Sequence, residues 1–571
     1  MKRIFKAVTL IPLYFVMAGA SYAAESDPTN AGNVSMCSAT CQPMDGGTFT
    51  IAAAGQLLPF PWKSSENHQF TTLTFGNLFT LDPYSNILVP DLATHWEISD
   101  DLTMGTFHLR QGVQFHDGTP FTAKHVEWSF KLTMKPEAEG ADFLMNAARL
   151  TELKGSQAWI DGEAEDIEGI TIVDDHTIVF ETEVPNGNFF EALGRVYILP
   201  EHLFRNSSWE DLPATDWMST DVRVGTGPFK LEESVEGQYV SVVANDNYWA
   251  GRPYLDRIVV RFFDEHETGT LAFEKGEVDL LEFLTAQEVN RFGADPQGNV
   301  FLRGAPLSPN YINVADKPFL KDERVRQAIS YAINRAQLIE TLIPNGLRDP
   351  MYSMFPEDHV MFSTDAPAYP YDPDKARALL AEADWDADQV VELATYYNSQ
   401  EALDWMAFIQ MYLTRVGMKV SVRQMDWPDM EKAGQAGKLD LWFTGYSSDL
   451  VGDHLAYFGT TGAWNYGKYD NPKYNELLTA ASRSGGEELR MIYEEMQQIF
   501  NKDLPGIPIW NRTKFSLVKP HACGVTEQWT NQHFTYLNFE NIYICEGASG
   551  TISVRPETPS GRGHPGYILS K

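Results

Sequence analysis

The chain reads as an α/β protein whose first half leans towards α+β, and three features of its 571 residues carry that reading. In the second half, β-branched runs such as "VVELAT" and "LDLWFT" alternate with stretches of helical periodicity, the pattern of strand–helix units. The first half is dominated by hairpin signals, short alternating runs parted by turn dipeptides. The length suffices for two or three domains with cores of their own.

The elements follow in order. Lys2, Arg3 and Lys6 precede an apolar run from Ala7 to Ala18, and Ser21, Tyr22 and Ala23 offer small residues at a cleavage site. Residues 1–23 are thus expected to be a secretory signal peptide, cleaved near Ala23 and too short to span a bilayer. No cysteine closes the apolar run, so the mature protein is expected to be exported and soluble, without lipid attachment. Residues 24–45 are polar and turn-rich, an extended lead-in. Regular structure opens at Gly46-Gly47 with the strand-like "TFTIAA".

The segment "FHLRQGVQFHDGTPFTAKHVEWSF" (107–130) holds three histidines, His108, His116 and His125. Phe107 and Leu109 alternate with His108 and Arg110, and Val113 and Phe115 with Gln114 and His116, so short strands are predicted with turns at Gln111-Gly112 and Asp117-Gly118. Thr122 suits a helix N-cap, with Val126 and Phe130 on one face and His125 in the first turn. The three rings are expected to face solvent and to form no metal site. "GITIVDDHTIVFE" (170–182) predicts a hairpin, and "QYVSVVA" and "RIVVRFF" predict strands. "DEHE" (264–267) reads as a solvated strand end.

Four helices stand out further on. "VRQAISYAINR" repeats Val325, Ala328, Ile329 and Ala332 at helical spacing, and "EALDWMAFIQMYLTRVG" repeats Ala402, Trp405, Met406, Ile409 and Leu413 before Gly417. Leu489, Ile492, Tyr493, Met496 and Phe500 form a third apolar face, and Asp372-Pro373 opens a fourth helix. Residues 546–571, rich in Gly, Ser and Pro, are expected to be a flexible tail without a core.

A formal charge of -34 argues against nucleic acid or an anionic membrane as partner, since both would repel the chain. Cys37 and Cys41 lie early, Cys523 and Cys545 late. In an exported protein disulfides are favoured over metal, and sequence leaves all three pairings open. Neither GxSxG, HExxH, GxxxxGK[ST] nor a strand-linked GxGxxG occurs, so no enzymatic activity, cofactor or metal is expected.

Candidate binding residues follow the strands, because open α/β sheets bind ligands at the carboxyl ends of their strands. "TFTIAA" is followed by Gln56 and Phe60, "VVELAT" by Tyr396 and Tyr397, and "LDLWFT" by Tyr446, Ser448 and Asp449. In "SPNYINVAD", Tyr311 and Asn313 share one face of a short strand. Rings with a few amide, hydroxyl and carboxylate groups suit a small-molecule pocket.

"PDLATHWEISDD" (90–101) and the histidine segment after it resemble the signature of the peptide/nickel-type (family 5) solute-binding proteins of ABC importers. "GTGPFKL" (225–231), "NYWAGRPYLDRIVVRF" (247–262), "KGEVDL" (275–280), "VRQAISYAINR" (325–335), "YDPDKARALLAEADW" (371–385) and "IPIW" (507–510) follow in the family's order, so the resemblance spans about residues 46–530. It implies a two-lobed periplasmic-binding-protein fold of the class II type that closes by a hinge, with an extra α+β domain inserted in lobe I. Carried over, lobe I takes residues 46–76, 221–310 and 511–545, the extra domain 77–220, and lobe II 311–510. Both chain ends then meet in lobe I, which opens cross-pairing of early and late cysteines beside the simpler local pairs.

The resemblance further implies a monomeric periplasmic protein that captures an oligopeptide-like solute and delivers it to a membrane permease. In peptide-binding members an aspartate after the corresponding strand pairs with the α-ammonium; "GYSSDLVGD" places Asp449 there, with Asp453 as substitute. An oligosaccharide or opine ligand, held by stacking on aromatics, and a sensor docking on a receptor are the alternatives.

Overall fold

β-Branched runs become strands and amphipathic runs become helices, and long-range pairing gathers them into three main sheets. The computed structural model describes residues 33–36, 43–54, 68–81, 88–135, 149–205, 207, 219–282, 284–294, 298–304, 308–342, 349–357, 362–446, 451–460, 462, 465–481, 484, 486–512, 514–525, 539–545 and 551–554.

The first sheet has seven strands in the spatial order Val300–Gly304, Lys514–Val518, Leu280–Leu281, Thr48–Ala54, Arg257–Phe263, Tyr239–Ala244, Phe229–Val235. Thr48–Ala54 lies centrally and parallel to Arg257–Phe263, with Ile51 opposite Val260. Period-2 alternation turns Phe49, Ile51, Ile258, Val260 and Val242 into one core. Residues far apart in sequence thus share one body.

The second sheet has four antiparallel strands, Ala93–Ile98, Met104–Leu109, Thr177–Glu181 and Ile170–Asp174, in that spatial order. Phe107 meets Phe180 edge-on at 5.6 Å. The helix Ala123–Thr133 lays Val126 and Phe130 on this core, as its spacing predicts.

The histidines there differ from expectation. His116 accepts from the Gly225 N–H at Nδ1 (3.2 Å), and its Nε2 faces the Gly227 carbonyl at 3.1 Å. His125 accepts from the Thr122 N–H at Nδ1 (3.1 Å), closing the helix start, and its Nε2 lies 3.2 Å from His202 Nδ1. Neither ring faces solvent. Desolvation pushes each down to about 4, so both are neutral at ordinary pH. His266 of "DEHE" likewise opens the helix His266–Glu274, its Nε2 2.7 Å from Glu288 Oε2.

His116 explains why two separated motifs belong together. Its backbone N–H also donates to the Gly225 carbonyl (2.9 Å), so "FHDGT" and "GTGPF" clasp one another. Gly225 and Gly227 press against the Thr74 and Leu73 carbonyls, where a Cβ would collide with backbone.

The third sheet runs Lys419–Gln424, Val390–Thr395, Leu441–Gly445, Pro309–Val314, Gly506–Asn511. The first three strands are parallel and Pro309–Val314 is antiparallel to both of its neighbours. Helices cover it. Pro373–Glu382 starts where Asp372 accepts from the Lys375 N–H at 2.9 Å, and Gln400–Arg415 where Ser399 accepts from the Ala402 N–H at 3.2 Å. Gln400–Arg415 buries Trp405, Met406, Ile409, Tyr412 and Leu413, each stabilising by about 2 kcal/mol.

Buried Arg335 holds this body to its last strand. It donates to the Pro508 carbonyl (2.7 Å), the Ser330 carbonyl (3.0 Å) and Ser330 Oγ (2.8 Å). Desolvation lowers it to about 10, and it stays charged.

The expected flexible tail is corrected in part. Thr551–Val554 is a strand, paired antiparallel with Asn33–Met36 of the lead-in. Intermittent β-branched residues suffice because each strand supplies the other's hydrogen bonds.

Candidate functional site

The first and third sheets are joined where Val300–Gly304 leads towards Pro309–Val314 and where Gly506–Asn511 leads into Lys514–Val518. Side chains pin the crossing. The Ser308 N–H donates to Asn511 Oδ1, the Arg512 N–H to the Ser308 carbonyl, and Arg512 Nε to Ser308 Oγ, each at 2.9 Å.

The parallel strands of the third sheet end on this same edge. Asn310 pairs with Gly445 at the end of Leu441–Gly445, and Pro309 with Asn511. Val390–Thr395 and Lys419–Gln424 run in the same direction, so Tyr396, Tyr397 and Trp427 emerge towards the crossing. Tyr397 Oη accepts from the Gly445 N–H at 2.9 Å, which fixes its ring. Tyr396 lies 4.4 Å from Tyr397 and 5.1 Å from Trp427, ring to ring, the latter edge-on. Burial, then its neighbour Tyr397, raises the Tyr396 hydroxyl, while the Arg512 guanidinium acts in the opposite sense.

Tyr396 and Tyr397 lie at the strand end the sequence assigns them, and Trp427 and Arg512, which the sequence did not single out, lie at the same edge. Trp427 was findable by the same rule, as the large ring next after Lys419–Gln424. Arg512 carries no such local signal, because its place is set by Ser308, 204 positions away.

Three other candidates have buried side chains. Tyr311, Asn313 and Tyr446 are buried in the body of the third sheet with exposures of 0%, 2% and 4%, and Asn313 and Tyr446 border a cavity of about 10 Å³ beside Trp442 and Tyr457. The Tyr311 hydroxyl donates to the Met354 carbonyl (2.9 Å) and lies 3.0 Å from His454 Nε2. The Tyr446 hydroxyl donates to Asn313 Oδ1 (3.0 Å), and Asn313 Nδ2 to the Trp442 carbonyl (3.3 Å). The physical reason is satisfaction. The Tyr311 and Tyr446 hydroxyls and the Asn313 carboxamide each have an internal partner, so their polarity does not by itself signal a ligand, whereas Asn310 Oδ1 of the same strand is buried without a partner among the described residues. Gln56, Phe60, Ser448, Asp449, Cys37 and Cys41 lie outside the described residues, as does the side chain of Asp453. Cys523 and Cys545 are buried on a small hairpin, where Cys523 pairs with Tyr543 and the Cys545 N–H donates to the His521 carbonyl at 2.8 Å.

Among the described residues no group of three or more His, Cys, Asp or Glu converges on a metal position, and no helix is long and apolar enough to cross a membrane. What the edge offers is stacking surface, hydroxyls and a guanidinium at a two-strand crossing between sheet bodies, the arrangement of a two-lobed binding protein.

Comparison with known proteins defines the class further. The chain matches the middle region of the bacterial extracellular solute-binding proteins, family 5, over residues 88–468, and it belongs to that family. It is a solute-binding component of an ABC importer, with a small solute and a membrane permease as partners. A Brucella ovis protein named for ABC-transporter peptide binding is 29% identical over 88% of this chain and 92% of its own length. Heme-binding protein A of Haemophilus influenzae is 26% identical over 88% and 94%. The murein tripeptide-binding protein MppA, in its unliganded open form, superposes with a TM-score of 0.75 at 21% identity, covering 90% of this chain and 98% of its own. HbpA2 of Haemophilus parasuis gives 0.75 at 22%, covering 87% and 100%. The two-lobed fold with an inserted extra domain is thereby shared.

Proposed function

We propose that this protein is exported by its N-terminal segment, with cleavage near Ala23, and works as a monomer in the periplasm, where it captures an oligopeptide-like solute for its permease. The supporting observation is the edge where Tyr396, Tyr397 and Trp427 emerge beside the Arg512 crossing, because "SSD" (447–449) leaves Tyr446 from that same edge. Asp449 then anchors the solute's ammonium, and the rings hold its body by stacking and backbone hydrogen bonds. Gln56 and Phe60, beyond the end of Thr48–Ala54, contribute from the opposite lobe. Relatives named for peptide binding agree with this reading, among them the di/tripeptide-binding protein 2 of Pseudomonas aeruginosa.

The lobes are read as residues 46–76, 221–310 and 511–545 for lobe I and 311–510 for lobe II, with 77–220 as the extra domain. Disulfides are read as joining Cys37 and Cys41 to Cys523 and Cys545. Three points support cross-pairing. No described cysteine is a free thiol, the two late cysteines are offset diagonally on their hairpin, and Asn33–Met36 contacts Ala522–Cys523. Diagonal neighbours stand about 7–8 Å apart, beyond the usual disulfide span.

The paired tyrosines and Trp427 favour one second reading, an oligosaccharide or opine-like conjugate stacked on the rings. One experiment separates the two. The exported protein is purified natively, unfolded, and the released molecule identified by mass spectrometry. Short peptides support the first reading and sugars the second; an empty protein that binds neither class in calorimetry sinks both.

A further inference from the structure

A cavity of about 40 Å³ lies away from the cleft, where three chain segments meet. Gly76 and Asn77 line it from the segment after the helix His68–Thr74, Asp91 from the second-sheet side, Thr226 and Tyr248 from the return into the first sheet, and Glu540 from the short helical turn Phe539–Asn541. A water needs roughly 10–15 Å³ by this measure, so the space holds about three water-sized bodies.

Its lining is short of partners. Thr226 Oγ1, Asn77 Nδ2 and Glu540 Oε1 are buried and meet no hydrogen-bond partner among the described residues, and their side chains are 1%, 5% and 1% exposed. Three orphaned polar atoms around one cavity are uncommon in a folded protein. Asp91 and Glu540 bring two carboxyl groups within electrostatic reach of one another. Asp91 is held in place by the Asn77 N–H, which donates to Oδ2 at 2.8 Å. The charged groups around the pair are few. Arg110 Nε donates to the Asp91 carbonyl (3.0 Å), and its guanidinium stacks 3.8 Å from the Trp249 ring; Tyr248 is the remaining titratable neighbour. Desolvation raises Glu540 to about 8 and Asp91 to about 7, the cost that a cation between them would relieve.

We infer that this cavity is a binding site for one hard divalent cation of calcium's size, held by the Asp91 and Glu540 carboxylates and Thr226 Oγ1. An all-oxygen donor set with two carboxylates suits calcium rather than a softer metal. The remaining volume leaves room for coordinated water. The Asn77 carboxamide supplies a donor to that water or, turned over, a further oxygen, the two orientations being isosteric. Bound there, the ion ties the C-terminal segment through Glu540 to the seam between the first and second sheets. The site is independent of the solute cleft and does not rest on the peptide reading.

The test uses full-length mature protein stripped with chelator and titrated with calcium chloride by calorimetry, in parallel with thermal unfolding. The expected result is one saturable site per chain and a melting midpoint raised by about 2–5 °C at saturating calcium. Glu540→Gln and Thr226→Val keep shape and fold, and each lowers calcium affinity about tenfold or more. No heat and no shift in the wild type would mean a cavity that holds water alone, and the inference would be wrong. A calcium shift retained undiminished in both variants would place the ion elsewhere and equally overturn it.

Discussion

Tyr311→Phe separates a core tyrosine from a ligand-binding one. The substitution keeps the ring, which stacks edge-on against Phe458 at 5.4 Å, and removes only the hydroxyl. That hydroxyl donates to the Met354 carbonyl at 2.9 Å and stands 3.0 Å from His454 Nε2, with no exposure of the residue to solvent. Its loss strips a buried carbonyl and a buried imidazole of one contact each. A net hydrogen bond is worth about 1 kcal/mol and an orphaned buried group about 1–3 kcal/mol, so a loss of about 2–3 kcal/mol is expected. Urea unfolding monitored by fluorescence gives this figure from the midpoint at unchanged slope. Calorimetry with the ligand recovered from the native protein gives the second readout, an affinity within about twofold of wild type. A variant of wild-type stability whose affinity falls about tenfold or more would refute the placement of Tyr311 in the core.

Three further outcomes are expected. His116 and His125, depressed to about 4 against 6.5 when unfolded, leave stability intact above pH 6.5 and erode it as pH falls towards 4, by up to roughly 3 kcal/mol per ring; ring titrations by NMR should show both neutral at pH 6, and the stability gap between wild type and His116→Gln should narrow on acidification. Arg335→Met removes a guanidinium that serves the Pro508 and Ser330 carbonyls, and should cost about 2–4 kcal/mol in urea unfolding without altering affinity for the solute. Gly225→Ala drives a Cβ into the Thr74 carbonyl and should cost more than about 4 kcal/mol, read as a lower melting midpoint or loss of soluble protein.

Most elements were legible in the sequence because periodicity is a local property. "VVELAT", "RIVVRFF" and the helix opened by Asp372-Pro373 are found where their patterns put them. What escaped was pairing at long range. His116 looks solvent-facing in the alternating run "VQFH", yet it lies in a turn with no strand beyond an isolated bridge at Gln114, and only Gly225 and Gly227, over a hundred positions away, turn it into a clasp. Tyr311 and Asn313 do share a face, as spacing dictates, yet Pro309–Val314 lies between two strands and is buried along its whole length. Their polarity answers to Met354, Trp442 and Tyr446. Tyr396 and Tyr397 were legible because strand ends in α/β sheets are a topological address. Arg512 was not, since its meaning comes from Ser308 across the crossing.

The pairing of Asn33–Met36 with Thr551–Val554 bears on how motion in this protein can be observed. Dyes attached on these two strands would stay at a fixed separation while the lobes move, so their energy transfer would report melting of this strand pair and be blind to capture of solute. Because Asn33 stands opposite Val554, a chain trimmed to these two positions could be joined there by a short linker and reopened in a surface turn. A reporter of closure would instead carry one probe on each sheet body far from the Ser308–Asn511 crossing, because a rotation about that crossing displaces a point in proportion to its distance from it.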